Sequence, residues 1–162
     1  MSNQKNNKAM NITLWEKEIM ILFIVLLNFS AVFGQGWQTD FAKAKEIANQ
    51  KDQSIVMVFQ GSDWCAPCIR LDREIWSTDA FKSYAEEHFV MMQVDFPRRK
   101  KNALPEAQAN ANAQLAEQYN KTGMFPFVVV LDQDGKVLGE TSYKKTTPEK
   151  YIEDLNAFIK KK

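Results

Sequence analysis

The 162-residue sequence predicts an α/β fold: a mixed sheet of four to five strands with helices on both faces. Three observations carry this. Short apolar runs at 54–60 ("SIVMVFQ"), 89–95 ("FVMMQVD") and 125–131 ("FPFVVVL") fit strands buried on both faces. Segments between and around them repeat apolar residues at helical spacing. The third run leads through Asp134-Gly135 into "KVLGE", the pattern of an antiparallel hairpin.

Taken in order, the chain begins with Lys5, Lys8 and Lys17 ahead of nine apolar residues, Ile19 to Leu27, followed by small residues around Gly34. That pattern reads as a secretory signal peptide over 1–34, because a spanning helix needs about 20 apolar residues. An uncleaved anchor through residues 19–33 is the alternative. Either way residues 35–162 form one domain, exported to the periplasm or another extracytoplasmic space.

Phe41, Ala44, Ile47 and Ala48 predict a helix over 40–50, with Thr39 or Asp40 as N-cap. A weak first strand is expected near 36–38. After the strand at 54–60, Cys68, Leu71 and Ile75 form a helical stripe, and Ser77 or Thr78 restarts a helix that leads into the strand at 89–95. "FPRRKKNALP" reads as a loop. Glu106 to Tyr119 predicts a helix with Ala107, Ala111, Leu115 and Tyr119 on one stripe. Thr147-Pro148-Glu149 opens the last helix with an N-cap and a proline in its first turn.

The formal charge of +1 gives no argument for nucleic acid or an acidic lipid surface as a partner. Arg98-Arg99-Lys100-Lys101 is the densest charge run, either a solvated loop or a dock for an acidic partner. Trp37, Phe41, Trp76, Phe81, Tyr84 and Phe89 are assigned to packing, no dinucleotide fingerprint is present, and no cofactor is expected.

Chemistry concentrates at "SDWCAPC" (62–68), which holds both cysteines of the chain. A disulfide closing so short a loop stabilises by only about 2 kcal/mol in the chain-entropy model. A zinc site wants four ligands, and Cys65, Cys68 and His88 supply at most three. Two thiolates can hold Cu(I), so a copper-binding, metallochaperone-like module stays open, as does a binding protein with an idle couple. The redox reading explains the placement: at a helix start, unpaired N–H groups and the helix dipole lower the pKa of Cys65. Cys68, one turn on, can attack a mixed disulfide formed there.

"WCAPC" after a buried strand, with "MFPF" before a later strand and a "DGK" hairpin, resembles the thioredoxin superfamily over about residues 37–160. The stretch "FQGSDWCAPCIRLDREIWSTDAF" is similar to exported thioredoxin-like proteins that resemble the C-terminal domain of the membrane disulfide reductase DsbD. The resemblance implies the thioredoxin fold and a thiol–disulfide oxidoreductase that reduces protein disulfides. Cys65 would attack and Cys68 would resolve, the two alternating between dithiol and disulfide. Trp64, Phe125 and Pro126 would border the substrate, with Pro126 in cis. Disulfide-containing proteins and a membrane or soluble thiol electron donor would be the partners of a monomer. Three positions depart from the pattern: Phe59 stands where many thioredoxins carry a buried Asp, Phe127 follows the proline in place of Thr, and Met124 replaces a smaller residue. Asp63 is the nearby acid that could transfer protons instead.

Overall fold

The computed structural model describes residues 36–160. The expected signal segment, 1–34, lies outside the described residues. Five α-helices and four strands follow in the order α1 (Phe41–Lys51), β1 (Ser54–Gln60), α2 (Ala66–Leu71), α3 (Asp79–His88), β2 (Phe89–Asp95), α4 (Glu106–Tyr119), β3 (Phe127–Leu131), β4 (Val137–Thr141) and α5 (Pro148–Ile159). Among the described residues no helix is long and apolar enough to cross a membrane.

The strands lie in the order β2-β1-β3-β4. β1 pairs in parallel with β2 and antiparallel with β3, so the strand that delivers the cysteine motif is interior to the sheet. Its unbroken apolar run follows from that position. Ile55, Met57 and Phe59 face one core layer, with Ala44 and Ala48 of α1 and Leu115 and Tyr119 of α4. Val56 and Val58 face the other, with Leu71, Ile75, Phe81, Tyr151 and Leu155. Each fully buried Val, Ile or Phe contributes about 1.5–3 kcal/mol, so β1 is a rigid base for the loop at its end.

The fifth strand is reduced to a single parallel bridge, Gln38 to Met92. The chain turns away at once, because the Asp40 carboxylate accepts from Lys43 N at 3.0 Å and starts α1. β3 and β4 form the expected hairpin, its turn held by the Asp132 carboxylate, which accepts from the N–H groups of Asp134 and Lys136. Gly135 takes φ 93°, a conformation that favours glycine.

Two helical details differ from expectation. α2 passes directly into a π-helical turn, Asp72–Trp76, which buries both Ile75 and Trp76. The spacing of Cys68, Leu71 and Ile75 is compatible with an ordinary helix and carries no sign of this wider turn. Trp76 there meets Trp37, Phe81 and Tyr151 edge-on. On α4, Leu115 and Tyr119 are buried as expected, but Ala107 and Ala111 are exposed and Asn112 is buried in their stead. Asn112 Nδ2 donates to the Asp95 carbonyl at 2.8 Å, a bond that fixes the rotation of the helix.

Candidate active site

The motif loop leaves β1 through Gly61. A Cβ at this position would collide with the Trp64 indole, so only glycine lets the ring fold back over the turn. The Gly61 carbonyl accepts from Cys65 N at 2.9 Å. Ser62 ties the loop to the neighbouring strand: its N–H and hydroxyl donate to the two carboxylate oxygens of Asp95, at 2.8 and 2.6 Å. Asp95 is buried, and its partner across the sheet is Gln60. The parallel register therefore places a carboxylate where the loop begins.

Asp63 points outward to the loop after β2. Its carboxylate accepts from Arg98 N (2.9 Å), Arg99 N (3.0 Å) and Asn102 Nδ2 (2.9 Å). These bonds, the Arg98 N–H first, hold its pKa below the usual aspartate value. All of these partners belong to residues 98–102, so the carboxylate ties the motif loop to the loop after β2.

Trp64 is fixed on three sides. Its indole N–H donates to the Phe96 carbonyl at 2.7 Å, its ring meets Phe125 at 5.6 Å between centroids, and the Arg98 guanidinium lies 3.6 Å from its ring centroid. That last contact is a close cation–π pair. Cys65 then caps α2: its sulfur accepts from Cys68 N at 3.3 Å, and Pro67 occupies the first turn, where a missing N–H is tolerated. Cys65 and Cys68 are joined as a disulfide with Cα atoms 5.2 Å apart. Each is 4% exposed, enclosed by the motif loop and the helix it starts.

A second loop, 120–126, faces the motif. The Phe125-Pro126 bond is cis, and Phe125 packs against both Trp64 and Phe96. Asn120, absent from the sequence-derived candidates, shapes this loop: buried, it donates to the Met124 carbonyl at 2.9 Å and accepts from Met124 N at 3.2 Å. Ser142 of the strap after β4 donates to the Pro126 carbonyl at 2.6 Å. Trp64, Cys65, Phe125 and Pro126 thus come from two loops that meet through the Trp64–Phe125 ring contact. His88 lies apart, exposed at the end of α3 against Tyr84. Among the described residues no cluster of three or more His, Cys, Asp or Glu could hold a metal ion.

Asp95 and Asn120 escaped the sequence reading because each acts through a partner distant in sequence or on backbone atoms. The signals available were faint: an acid ending a strand, and an Asn at the close of a helix.

A disulfide at the start of the helix that follows an interior parallel strand, faced by a cis-proline loop, defines a thiol–disulfide oxidoreductase of the thioredoxin fold. The chain belongs to the thioredoxin-like family, whose pattern matches residues 36–133. It is 36% identical over 124 residues to the disulfide bond reductase DsbH of Chlamydia pneumoniae, covering 76% of this chain and 72% of that protein. A solved structure of DsbH oxidoreductase superposes with a TM-score of 0.71 at 34% identity, over 77% of this chain and 84% of the other. A disulphide isomerase from Xylella fastidiosa, at 20% identity and a TM-score of 0.54 over 73% and 87% of the two chains, shares the fold.

Proposed function

We propose that this protein works as a protein-disulfide reductase outside the cytoplasm, with Cys65 as nucleophile and Cys68 as resolving thiol. The observation that carries the reading is the Cys65–Cys68 disulfide capping α2, where the Cys68 N–H is directed at the Cys65 sulfur. In the reduced protein that N–H and the helix start favour Cys65 as thiolate. The thiolate attacks one sulfur of a substrate disulfide; a mixed disulfide forms and the other substrate sulfur leaves as a thiolate, taking up a proton. Cys68, on losing its proton, attacks the Cys65 sulfur. The second substrate thiol departs and the protein holds the disulfide seen here. A donor dithiol, membrane-bound or soluble, then returns two electrons and regenerates the pair.

Trp64, Phe125 and Pro126 are assigned to the substrate border, and Asp63 to holding the adjacent loop. The reducing direction is supported by the relative named as a disulfide bond reductase. Export is supported by the basic, apolar and small-residue order of residues 1–34, and action as a monomer is part of the same reading.

Insulin reduction with dithiothreitol as the electron source tests the activity, and Cys68→Ser tests the roles. Turnover is expected for the wild type, with mixed disulfides through Cys65 accumulating in Cys68→Ser. An inert wild type that instead retains one Cu(I) per reduced pair would replace this reading with the metallochaperone one.

A further inference from the structure

We infer that the rim of the couple selects substrate disulfides flanked by acidic residues; this rests on the reductase reading above. Residues 35–162 carry equal numbers of basic and acidic side chains, so the domain as a whole attracts neither sign. Its charge is nevertheless uneven. Arg98, Arg99, Lys100 and Lys101 follow one another in the loop after β2, all exposed, and among the described residues none of the four is in an ion pair.

Two contacts fasten that loop to the motif itself. The Arg98 guanidinium lies 3.6 Å from the Trp64 ring centroid, one residue from Cys65, and the Asp63 carboxylate holds the backbone N–H groups of Arg98 and Arg99. The ionised Asp63 carboxylate, bound to those N–H groups and to Asn102 and attracted by Arg99, offsets part of the loop's charge, and four cations against one carboxylate leave the rim positive. Lys100 and Lys101 stand in a short 3₁₀ turn, so the backbone that carries these exposed cations has a defined course. Beside Phe125, whose ring meets Trp64, Met124 is 48% exposed. A substrate strand lying across the couple therefore meets the apolar Met124 and a cationic rim anchored at Trp64 through Arg98. Carboxylates near its cysteine would be drawn in during encounter, which raises association rate more than final affinity.

Two peptides with the same single-disulfide core test this, one flanked by glutamates and one by lysines, each rate normalised to its reduction by uncharged dithiothreitol. At low ionic strength the reduced wild type should act on the glutamate peptide roughly tenfold faster in kcat/KM. The gap should close as added salt shortens the screening length. Arg99→Glu/Lys100→Glu/Lys101→Glu should reverse the preference, and its reduction of the lysine peptide shows that it is folded. Equal normalised rates at low salt, or a preference untouched by the triple variant, would overturn the selectivity while leaving the reductase intact. Failure to reduce insulin and both peptides would overturn the reductase reading and this one with it.

Discussion

Asp95, the last residue of β2, accepts both the backbone N–H and the hydroxyl of Ser62, three residues before Cys65. A buried carboxylate held by two hydrogen bonds from one residue sets where the motif loop starts. Hydrogen bonds to a charged group contribute about 1.5–3 kcal/mol each, and a buried charge left short of donors raises the loss. Ser62→Ala should therefore lower stability by about 1.5–3 kcal/mol in urea unfolding of the oxidised protein. It should also slow insulin reduction, because the loop that presents Cys65 loses its tie. An unchanged midpoint would show that water replaces the hydroxyl without loss.

Gly61 bears on the same loop from below. The Trp64 indole occupies the space that a Cβ would need, and the Phe96 carbonyl and Phe125 ring hold that indole in place. Gly61→Ala must therefore displace Trp64, and overpacking of this kind costs about 1–3 kcal/mol. The expected outcome is a stability loss of that size with a shift in tryptophan emission and a fall in insulin reduction. An alanine variant with wild-type emission and turnover would mean that the loop absorbs the methyl group by moving its backbone.

The fold was legible because its evidence is local. β1 and β2 show their burial as apolar runs, Thr147-Pro148 shows the start of α5, and Asp134-Gly135 shows the hairpin turn. The cysteine pair was legible for the same reason, through its spacing and its place after β1. The parts that act between distant segments were hidden: Asp95 reaches Ser62 only because β2 lies beside β1 in parallel, and Asn112 turns α4 by bonding to the end of β2. Asp63 belongs to this class as well. Its partners lie 35 to 39 residues away in the sequence, so its hold on the loop after β2 could not be read locally.

That geometry gives Asp63 a distinctive pH signature. Its pKa is lowered in the folded protein, first by the Arg98 N–H, so its contribution to stability is present above the unfolded value of about 3.9 and fades as pH falls through the lower folded value. The difference in Tm between wild type and Asp63→Asn should be full at pH 6–7 and shrink below about pH 4. The carboxylate stays ionised throughout pH 6–9, so the shape of the rate–pH profile there should be the same in both proteins. A profile in Asp63→Asn that loses a limb within that window would return the residue to proton transfer.

Asn120 organises the opposing loop in the way that Asp95 organises the motif. Its amide donates to the Met124 carbonyl and accepts from Met124 N and the Thr122 hydroxyl, closing the turn that precedes Phe125. Neutral hydrogen bonds contribute about 0.5–1.5 kcal/mol each, and Met124 is exposed enough for water to satisfy part of what Asn120 releases. Asn120→Ala should thus lower stability by about 1–2 kcal/mol, less than the summed bonds. Its kinetic effect should fall on KM for disulfide peptides more than on kcat, since the loop borders the substrate and the cysteines are untouched. Asn120→Asp, which keeps the acceptor and loses the donor, should recover part of the KM. Loss of kcat alone, with KM held, would place Asn120 in the support of the couple itself and not of the substrate border.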